Sequence, residues 1–316
     1  MRNAFADEIT RLGASDPRVV LLSGDIGNKL FDKFKQHAQD RFFNCGVAEA
    51  NMMSVAAGMA LSGLRPVIYT IAPFTTTRCF EQIRVDVCYH RVPVIIVGTG
   101  AGLSYAELGP THHSLEDLAL LRALPDMLVF APCDEVELRL GLRAALLQDR
   151  PMYMRIGKKG EPVIHKTQPE FQLGKAITVR AGEDVCLIST GNMMPVALST
   201  ADRLREQGLS ARVESFHTVK PLDTDRLGQV FGRYRLVATL EEHTRLGGLG
   251  GSIAEWLAAQ ETPYGRLISF GTDDQFMHET GSQDYARRRF GLSAGAIAEK
   301  VAARLGRLAP ERIGAE

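Results

Sequence analysis

The chain has 316 residues, of which 45% are hydrophobic and 23% are charged, which is typical of a globular protein of about two domains. Its 37 basic and 37 acidic side chains give a formal net charge of zero, so it lacks the broad positive surface that nucleic acid or an acidic membrane attracts. There is no apolar run of about 18 residues and no signal-peptide pattern. We therefore expect a cytoplasmic protein without nucleic-acid or membrane partners.

The five cysteines are scattered along the chain and form no C-x-x-C pair. This pattern predicts neither a disulfide framework nor a zinc knuckle and is typical of small buried apolar side chains. We accordingly assign no metal ligand to this chain.

The first half of the chain alternates short apolar segments with helical ones. Strands are predicted at 18–23, 66–72, 93–99 and 127–132, and helices at 3–13, 47–62, 77–90, 114–125 and 134–148. Ser114 is predicted to cap its helix, with Asp117 at the third position. Short strands that are apolar throughout indicate a parallel sheet covered by helices on both faces.

The pattern changes over 156–175, where Gly, Pro and Lys occur without clear periodicity, and it resumes from residue 184. Strands are predicted at 185–190, 210–216, 235–242 and 266–272, and helices at 193–208, 224–234, 247–260 and 293–308. We predict an α/β chain of two domains, each a mostly parallel sheet covered by helices. The predicted bounds are 1–160 for the first domain, 161–178 for a linker and 179–316 for the second domain, whose last eight residues we expect to fray.

Glu49 is the only acidic residue between Arg41 and Glu81, and it lies on a helix rich in Ala and Met. Burying a carboxylate there is costly unless it is paired, hydrogen-bonded or protonated, and such a carboxyl suits proton transfer. A glutamate at the start of a helix is also favoured by the helix dipole alone. The residue pattern leaves both interpretations open.

Two histidines, His112 and His113, stand just before the helix at 114–125, in a loop that follows a strand. Loops at strand ends commonly carry functional side chains. Taken singly, each histidine is also consistent with a hydrogen-bonded surface residue.

A glycine-rich turn spans Gly247–Gly251 and opens a helix, which is a place where backbone amides can hold a phosphate. The turn lacks the Lys-Ser/Thr pair of a P-loop and the G-x-G-x-x-G spacing of a dinucleotide site. Tight packing between strand and helix is the favoured interpretation.

Several strings of the chain resemble known sequences when they are taken together. RFFNCGVAEANMMSVAAGMA, RCFEQIRVDV and GPTHHSLEDLALLRALPDMLVFAP, in this order, resemble the pyrimidine-binding domain of transketolases, and the stretch from SFHTVKPLD to TLEEHTRLGGLGGSIAEWLA is similar to their C-terminal domain. The resemblance covers nearly the whole chain. The sequence thus resembles the C-terminal section of a split transketolase, the small subunit that works with a separate N-terminal subunit.

The resemblance implies thiamine diphosphate and Mg²⁺ as cofactors and transfer of a two-carbon ketol unit from a ketose, or ketose phosphate, to an aldehyde. Glu49 matches the glutamate that contacts the aminopyrimidine and assists removal of the thiazolium proton. Phe74 lies where the family has an aromatic side chain against the aminopyrimidine, or one residue before that position, and Thr75 occupies the neighbouring position. Asp25 and Ile26 match residues near the thiazolium.

The same resemblance implies a set of substrate contacts. His112 matches a histidine that contacts the substrate and shuttles protons, and Arg155 and Arg2 match arginines that hold a substrate phosphate. Lys29 stands near a usual phosphate-binding serine. Leu108 departs from the family, which has an aspartate there that binds a substrate hydroxyl, so we expect weaker selection for the usual hydroxylated sugars.

Transketolases bind the diphosphate and the metal through a Gly-Asp-Gly motif and a later asparagine, whereas Gly24-Asp25 here is followed by Ile26. The resemblance therefore implies that the N-terminal subunit holds both groups, and that self-association gives a heterotetramer. Two alternatives remain: the β subunit of a 2-oxoacid dehydrogenase decarboxylase, and a non-catalytic assembly or regulatory subunit of the same fold. The string GPTHHSLEDLALLR favours transketolase over the first, and the presence of Glu49 and His112 argues against the second.

Overall fold

A computed structural model describes residues 1–261 and 265–308 of the chain. The tail that we expect to fray, 309–316, lies outside the described residues. The strands are β1 Val19–Ser23, β2 Phe42–Asn44, β3 Arg65–Ile71, β4 Ile95–Thr99, β5 Leu128–Phe130, β6 Met152–Ile156, β7 Ile177–Arg180, β8 Val185–Ser189, β9 Ala211–Ser215, β10 Thr218–Lys220, β11 Leu236–Thr244 and β12 Arg266–Thr272. The helices are α1 Arg2–Ser15, α2 Asp32–Ala38, α3 Glu49–Leu61, α4 Ala72–Thr75, α5 Phe80–Gln82, α6 Asp117–Ala123, α7 Glu135–Leu146, α8 Met194–Glu206, α9 Thr224–Arg233, α10 Leu249–Ala258, α11 Gln283–Arg289 and α12 Ala294–Arg307.

The first sheet has the strand order β10-β5-β6-β4-β3-β1-β2, and β1 to β6 pair in parallel. Apolar side chains of α1, α2 and α7 pack on one face, and those of α3, α6 and a π-helical segment at Ile83–Tyr89 pack on the other. Strands covered on both faces carry apolar residues throughout, and β1 and β4 are fully buried in this way. The structure confirms the predicted covered parallel sheet.

The second sheet has the order β12-β11-β8-β9-β7, and it is parallel except for β7, which runs antiparallel to β9. Helices α8, α11 and α12 pack into a core on one face. Side chains of α9 and α10, together with β8, join the core that also contains α3 and α6 of the first sheet. The two sheets therefore share one continuous apolar core through their helices.

One strand crosses between the two halves of the chain. β10 follows β9 in sequence, but it pairs antiparallel with β5 and forms the edge of the first sheet. Sequence analysis did not predict this strand, and it also missed β2, β7, α2 and α11. Each of these elements has at most seven residues, too few to show a hydrophobic period.

The segment between β6 and β7 is attached to the start of α7. Asp134 caps this helix through Oδ1, while its Oδ2 accepts the backbone N–H of Ile164 and of His165 at 2.8 Å each. Burial would raise the pKa of Glu137, but the hydrogen bond from His165, 2.9 Å away, contributes to lowering it to about 2. Cys133 Sγ lies 3.8 Å from the same histidine nitrogen, and its backbone N–H donates to Glu137. Cys133, Glu137 and His165 are residue types that can bind a metal. Their contacts with one another already explain the cluster, which attaches the segment between β6 and β7 to α7.

The predicted cap of α6 is wrong. The helix begins at Asp117, with Glu116 as the N-cap residue and no side-chain capping bond. Ser114 instead forms a β-bridge, in which its N–H donates to the Gly102 carbonyl at 3.0 Å, and its own carbonyl accepts from Arg155. Its backbone is thus extended and is not available to start the helix. Among the described residues, none of the helices is long and apolar enough to cross a membrane.

Candidate active site at the carboxyl edge of the first sheet

Most of the predicted site residues follow the carboxyl ends of parallel strands in the first sheet. Parallel strands place these ends at one edge, and such an edge is where ligands bind in open α/β sheets. Asp25, Ile26 and Lys29 follow β1, and Glu49 follows β2. Phe74 follows β3, His112 follows β4 and Lys158 follows β6.

Glu49 is the first residue of α3 and is only 4% exposed. Its Oε1 accepts a hydrogen bond from Arg78 Nη1 at 2.9 Å. Its Oε2 is buried and has no hydrogen-bond partner among the described residues. The carboxylate stands at a helix N-terminus and is also buried, so the position meets the premise of each interpretation, and proton transfer by Glu49 stays a prediction. An unpaired buried acceptor is costly, so this oxygen offers a place for a donor from a bound ligand.

Arg78 joins Glu49 to the aromatic side chains of the site. The centre of its guanidinium lies 4.0 Å from the centroid of the Phe74 ring, in cation–π contact. The Phe74 ring meets the His112 ring edge to face, with centroids 5.3 Å apart. The structure thus brings Glu49, Phe74 and His112 together in one continuous line. Sequence analysis missed Arg78. Two signals pointed to it: Arg78 stands four residues after Phe74, and the isolated Glu49 needs a cationic partner if it is buried.

A second line of contacts continues from His112. Thr111 Oγ1 lies 2.9 Å from Nδ1 of the histidine, and the Tyr105 ring centroid is 6.2 Å from that of His112. Lys158 Nζ lies 4.5 Å from the Tyr105 ring centroid and forms an ion pair with Glu107. Sequence analysis did not single out Tyr105, Glu107 or Lys158, because their contacts join loops that lie far apart in the chain.

Asp25 is held at the ends of β1 and β2. Its N–H donates to the Gly46 carbonyl at 2.8 Å, and its Oδ1 accepts from Asn44 Nδ2 at 3.2 Å. Since Asn44 and Gly46 belong to the segment that leads into α3, Asp25 is tied to the loop that positions Glu49. Ile26 packs at the border of the first-sheet core, and Lys29 is exposed.

Arg155 occupies a different environment from the one expected of a substrate-binding arginine. It is 1% exposed, and its Nε donates to Asp117 Oδ2 at 2.7 Å. Its Nη2 donates to the carbonyls of Ser114 at 2.6 Å and of Glu242 at 2.8 Å. The structure therefore does not bring the Arg155 guanidinium to the open part of the edge. The cation after β6 that reaches the aromatic residues is Lys158, three residues further on.

Arg2 and Leu108 bear on which substrates the edge accepts. Arg2 begins α1 and is partly buried, and its Nε has no hydrogen-bond partner among the described residues. Leu108 is 49% exposed and directly follows Glu107 in the loop after β4. The loop thus presents an apolar side chain to solvent next to a charged pair.

The glycine-rich turn of the second domain holds an anion that belongs to the chain itself. The carboxylate of Glu241, which is fully buried, accepts the N–H groups of Leu249 and Gly250 at 2.7 and 2.8 Å. A Cβ on Gly248 would lie 2.1 Å from Glu241 Oε2, and one on Gly250 would lie 2.7 Å from Ser269 Oγ. The glycines are needed for close packing, as predicted, and Glu241 occupies the position that a phosphate would take.

The fold places charged and aromatic side chains at the carboxyl edge of an open, mostly parallel α/β sheet, which is where enzymes built on such sheets bind their ligands. A solved structure described as a split gene transketolase, inactive beta4 tetramer, superposes with a TM-score of 0.88 at 33% identity, covering 96% of this chain and 98% of that one. The transketolase of Campylobacter jejuni shares the fold, with a TM-score of 0.79 at 18% identity, and this chain covers 46% of its length.

Sequence comparison gives the particular family. Residues 1–161 match the transketolase pyrimidine-binding domain and residues 174–297 the transketolase C-terminal domain. The 6-deoxy-6-sulfo-D-fructose transketolase subunit SqwH of Clostridium sp. is 35% identical over 94% of this chain and 92% of its own length. A subunit of the apulose-4-phosphate transketolase of Phocaeicola vulgatus is 32% identical over 94% of both chains. The chain belongs to the transketolase family, as a C-terminal subunit of the split type, which confirms the resemblance; transketolases are transferases that use thiamine diphosphate and a divalent metal.

Proposed function

We propose that this chain is the subunit of a thiamine-diphosphate-dependent transketolase that contacts the cofactor's pyrimidine and the substrate. In this proposal it moves a two-carbon ketol unit from a ketose, or ketose phosphate, to an aldehyde. A separate N-terminal subunit holds the diphosphate and Mg²⁺, and the two kinds of subunit form a heterotetramer. The observation that carries the proposal is that the buried Oε2 of Glu49, beside Arg78, Phe74 and His112, has no hydrogen-bond partner in the described part of the chain.

The residues at this edge fit the pyrimidine end of the cofactor. Glu49 Oε2 is an acceptor without a donor among the described residues, and Phe74 supplies an aromatic wall beside it. When bound, thiamine diphosphate supplies a nucleophilic carbon and an electron sink for breaking a bond next to a carbonyl. Asp25 and Ile26 follow β1 at the same edge, where they would line the thiazolium side.

Glu49 would accept a hydrogen bond from a ring nitrogen at Oε2 and hold or release a proton there. Its other oxygen is fixed by Arg78, so the carboxylate cannot turn away from the ligand without breaking that ion pair. Because the group is nearly enclosed, water does not compete for the same oxygen.

His112 would move protons to and from the substrate. Thr111 occupies its Nδ1, which leaves Nε2 as the atom that can exchange a proton with a substrate oxygen. The rings of Phe74 and Tyr105 fix the orientation of the imidazole from two directions.

The substrate is proposed to carry an anionic group and to lack the hydroxyl that the family usually binds at position 108. Lys158, Lys29 and Arg2 supply local positive charge at the carboxyl edge or beside it, and Leu108 supplies no polar contact. The named relatives act on modified sugars, a 6-deoxy-6-sulfo ketose and apulose 4-phosphate, which is compatible with this proposal. A role for Arg155 in phosphate binding stays a prediction, and its burial argues against it.

The test is reconstitution with an N-terminal section that carries Gly-Asp-Gly. The complex is assayed for cleavage of a panel of ketose phosphates, sulfonated ketoses and uncharged ketoses, with thiamine diphosphate and Mg²⁺. We expect turnover by the complex and none by either subunit alone. Donor cleavage and tight cofactor binding by the isolated chain would contradict the subunit assignment, and an inactive complex that binds the cofactor would favour the non-catalytic alternative.

A further inference from the structure

We propose that Glu242 of the second domain is a positioning residue for the substrate loop, defined here as residues 102–114, which carries Tyr105, Glu107 and His112. The second domain would in this way set the affinity for substrate without contacting it. The inference rests on the proposed function, because the loop is taken to meet the substrate. Its structural part, that Glu242 holds the loop, does not depend on catalysis.

The carboxylate of Glu242 is fully buried and serves as the centre of a network between the domains. Its Oε2 accepts the backbone N–H of Leu103 at 2.9 Å, the amide of Asn192 at 3.0 Å and that of Gln283 at 3.0 Å. Its Oε1 forms an ion pair with Arg287. Three of these four partners belong to the second domain, and Leu103 is the loop residue that the carboxylate itself holds; Asn192 and Gln283 also donate to Ser104 Oγ of the loop.

The same residue also holds the other end of the loop. Its backbone carbonyl accepts from Arg155, and the same Nη2 of Arg155 donates to the Ser114 carbonyl. Ser114 in turn bridges Gly102, so the two ends of the loop are fastened to each other. Glu242 therefore contacts one end directly and reaches the other through a single side chain.

The packing around Gly102 shows how closely the two elements meet. This glycine has a φ of 60°, and a Cβ placed on it would lie 2.5 Å from the Cβ of Glu242. Next to it, the Ala101 carbonyl accepts from Ser104 Oγ at 2.6 Å and from the Asn192 amide at 3.4 Å. The start of the loop is thus packed directly against the network.

Loss of the negative charge would release this attachment. A buried Arg–carboxylate pair that loses one partner leaves the other charge uncompensated, and the network relaxes around it. A displacement of about 1 Å in residues that orient the substrate can cost about a hundredfold in rate or affinity. Glu49 and Arg78 lie outside this loop, so binding of the cofactor should be unaffected.

Glu241 offers a matched control. It precedes Glu242 in β11 and is equally buried, but its carboxylate points to the opposite face and accepts from the start of α10. Glu241→Gln and Glu242→Gln therefore make the same chemical change one residue apart. Only the second change touches the substrate loop.

The first measurement is hydrogen exchange in the isolated chain. We expect amides of residues 103–113 to exchange about tenfold faster or more in Glu242→Gln and to remain unchanged in Glu241→Gln. In the reconstituted enzyme, Glu242→Gln should raise KM for the sugar about tenfold or more, with a smaller change in kcat and an unchanged Kd for thiamine diphosphate. Gln283→Ala removes one peripheral donor and should show the same pattern about two- to fivefold.

Equal loop exchange in the two glutamate variants would overturn the inference, as would a KM that changes equally in both. If Glu242→Gln does not fold, Gln283→Ala decides the question by the same two measurements. An inactive wild-type complex would contradict the proposed function and leave the exchange result to decide whether Glu242 holds the loop.

Discussion

Both sheets have a carboxyl edge formed by parallel strands, but the two edges use charged side chains in opposite ways. At the first edge, Arg78, Glu107 and Lys158 are partly exposed and Glu49 keeps an oxygen unpartnered among the described residues. At the second edge, the charged side chains Glu241 and Glu242 are fully buried, and their bonds go to the chain itself.

This difference shows how one architecture can serve as a binding site or as a support. A helix N-terminus or a buried carboxylate at such an edge attracts a ligand only if the chain has not already satisfied it. The Gly247–Gly251 turn looks like an anion site in sequence, yet Glu241 fills it. Substitutions at the two edges should therefore have effects of different kinds.

The largest effect is expected at the open edge. In the reconstituted enzyme, Glu49→Gln should lower kcat by about two to four orders of magnitude, because the variant cannot carry the proton that the carboxyl holds. The control is Asp86→Asn, which changes an acid that bonds to α3 through Ser54, away from Arg78. Turnover of Glu49→Gln close to that of the wild type would remove Glu49 from the mechanism.

A comparable effect, on stability, is expected where the charge is enclosed. Arg155→Met should lower the free energy of unfolding by about 3–5 kcal/mol, because Asp117 then stays buried without its cation. Lys158→Met at the open edge should change it by about 1 kcal/mol or less, since that ion pair is partly solvated. Urea unfolding of both variants checks the pair. Similar losses in the two would mean that enclosure of the charge does not determine how much its ion pair stabilises the fold.

A third effect is a pH dependence of stability that comes from the second edge. Burial raises the pKa of Glu241 to about 7 and lowers the pKa of His243 to about 4. Because folding raises the pKa of Glu241, its contribution to stability is lost as the pH rises from about 4.5 through 7. Because folding lowers the pKa of His243, its contribution is lost as the pH falls from about 6.5 through 4. The two slopes oppose each other between these limits.

Glu241→Gln should remove the loss on the alkaline side, and His243→Asn the loss on the acid side. At about 1.4 kcal/mol per pKa unit, each variant should remove a pH-dependent change of about 3 kcal/mol in the free energy of unfolding. Urea unfolding from pH 4 to pH 8 measures the slopes, whatever constant offset each variant has. Curves parallel to that of the wild type would show that neither group titrates as described.

The smallest effect concerns the glycines of the turn. Gly250→Ala would place a Cβ 2.7 Å from Ser269 Oγ and 2.8 Å from Thr239 Oγ1, so it should destabilise the fold by about 1–3 kcal/mol. Gly228→Ala within α9 meets no atom within 4 Å and should stabilise it by about 0.5–1 kcal/mol. Thermal unfolding distinguishes the two. A stabilising Gly250→Ala would contradict the packing role of this turn.

Much of the fold follows from local pattern. The long apolar segments and the helices with clear periods are found in the structure, because burial on both faces leaves a strong signal. Ser114 shows where such arguments fail. Its hydroxyl and its place before Asp117 suggest a cap, but Gly102 and Arg155 take its backbone groups, and both are distant in sequence.

In the candidate site, too, local pattern identifies some residues and misses those that depend on contacts distant in sequence. Glu49 and His112 stand out in sequence because one is isolated among apolar residues and the other belongs to a motif. Arg78, Tyr105 and Lys158 acquire their importance from contacts across loops, which no local pattern shows. For the same reason, sequence could not distinguish the enclosed Arg155 from the accessible Lys158.

Strand β10 also determines where this chain can be divided. A cut in the segment between β6 and β7 would separate 1–160 from β10, the strand that covers β5, although the sequence pattern predicts a domain boundary in this segment. The released fragment would expose the backbone N–H and C=O groups of a sheet edge, which promotes pairing with other chains and aggregation. Members of this family occur as separate sections. Within this section, the hydrogen bonds between β10 and β5 oppose a further division at the domain boundary.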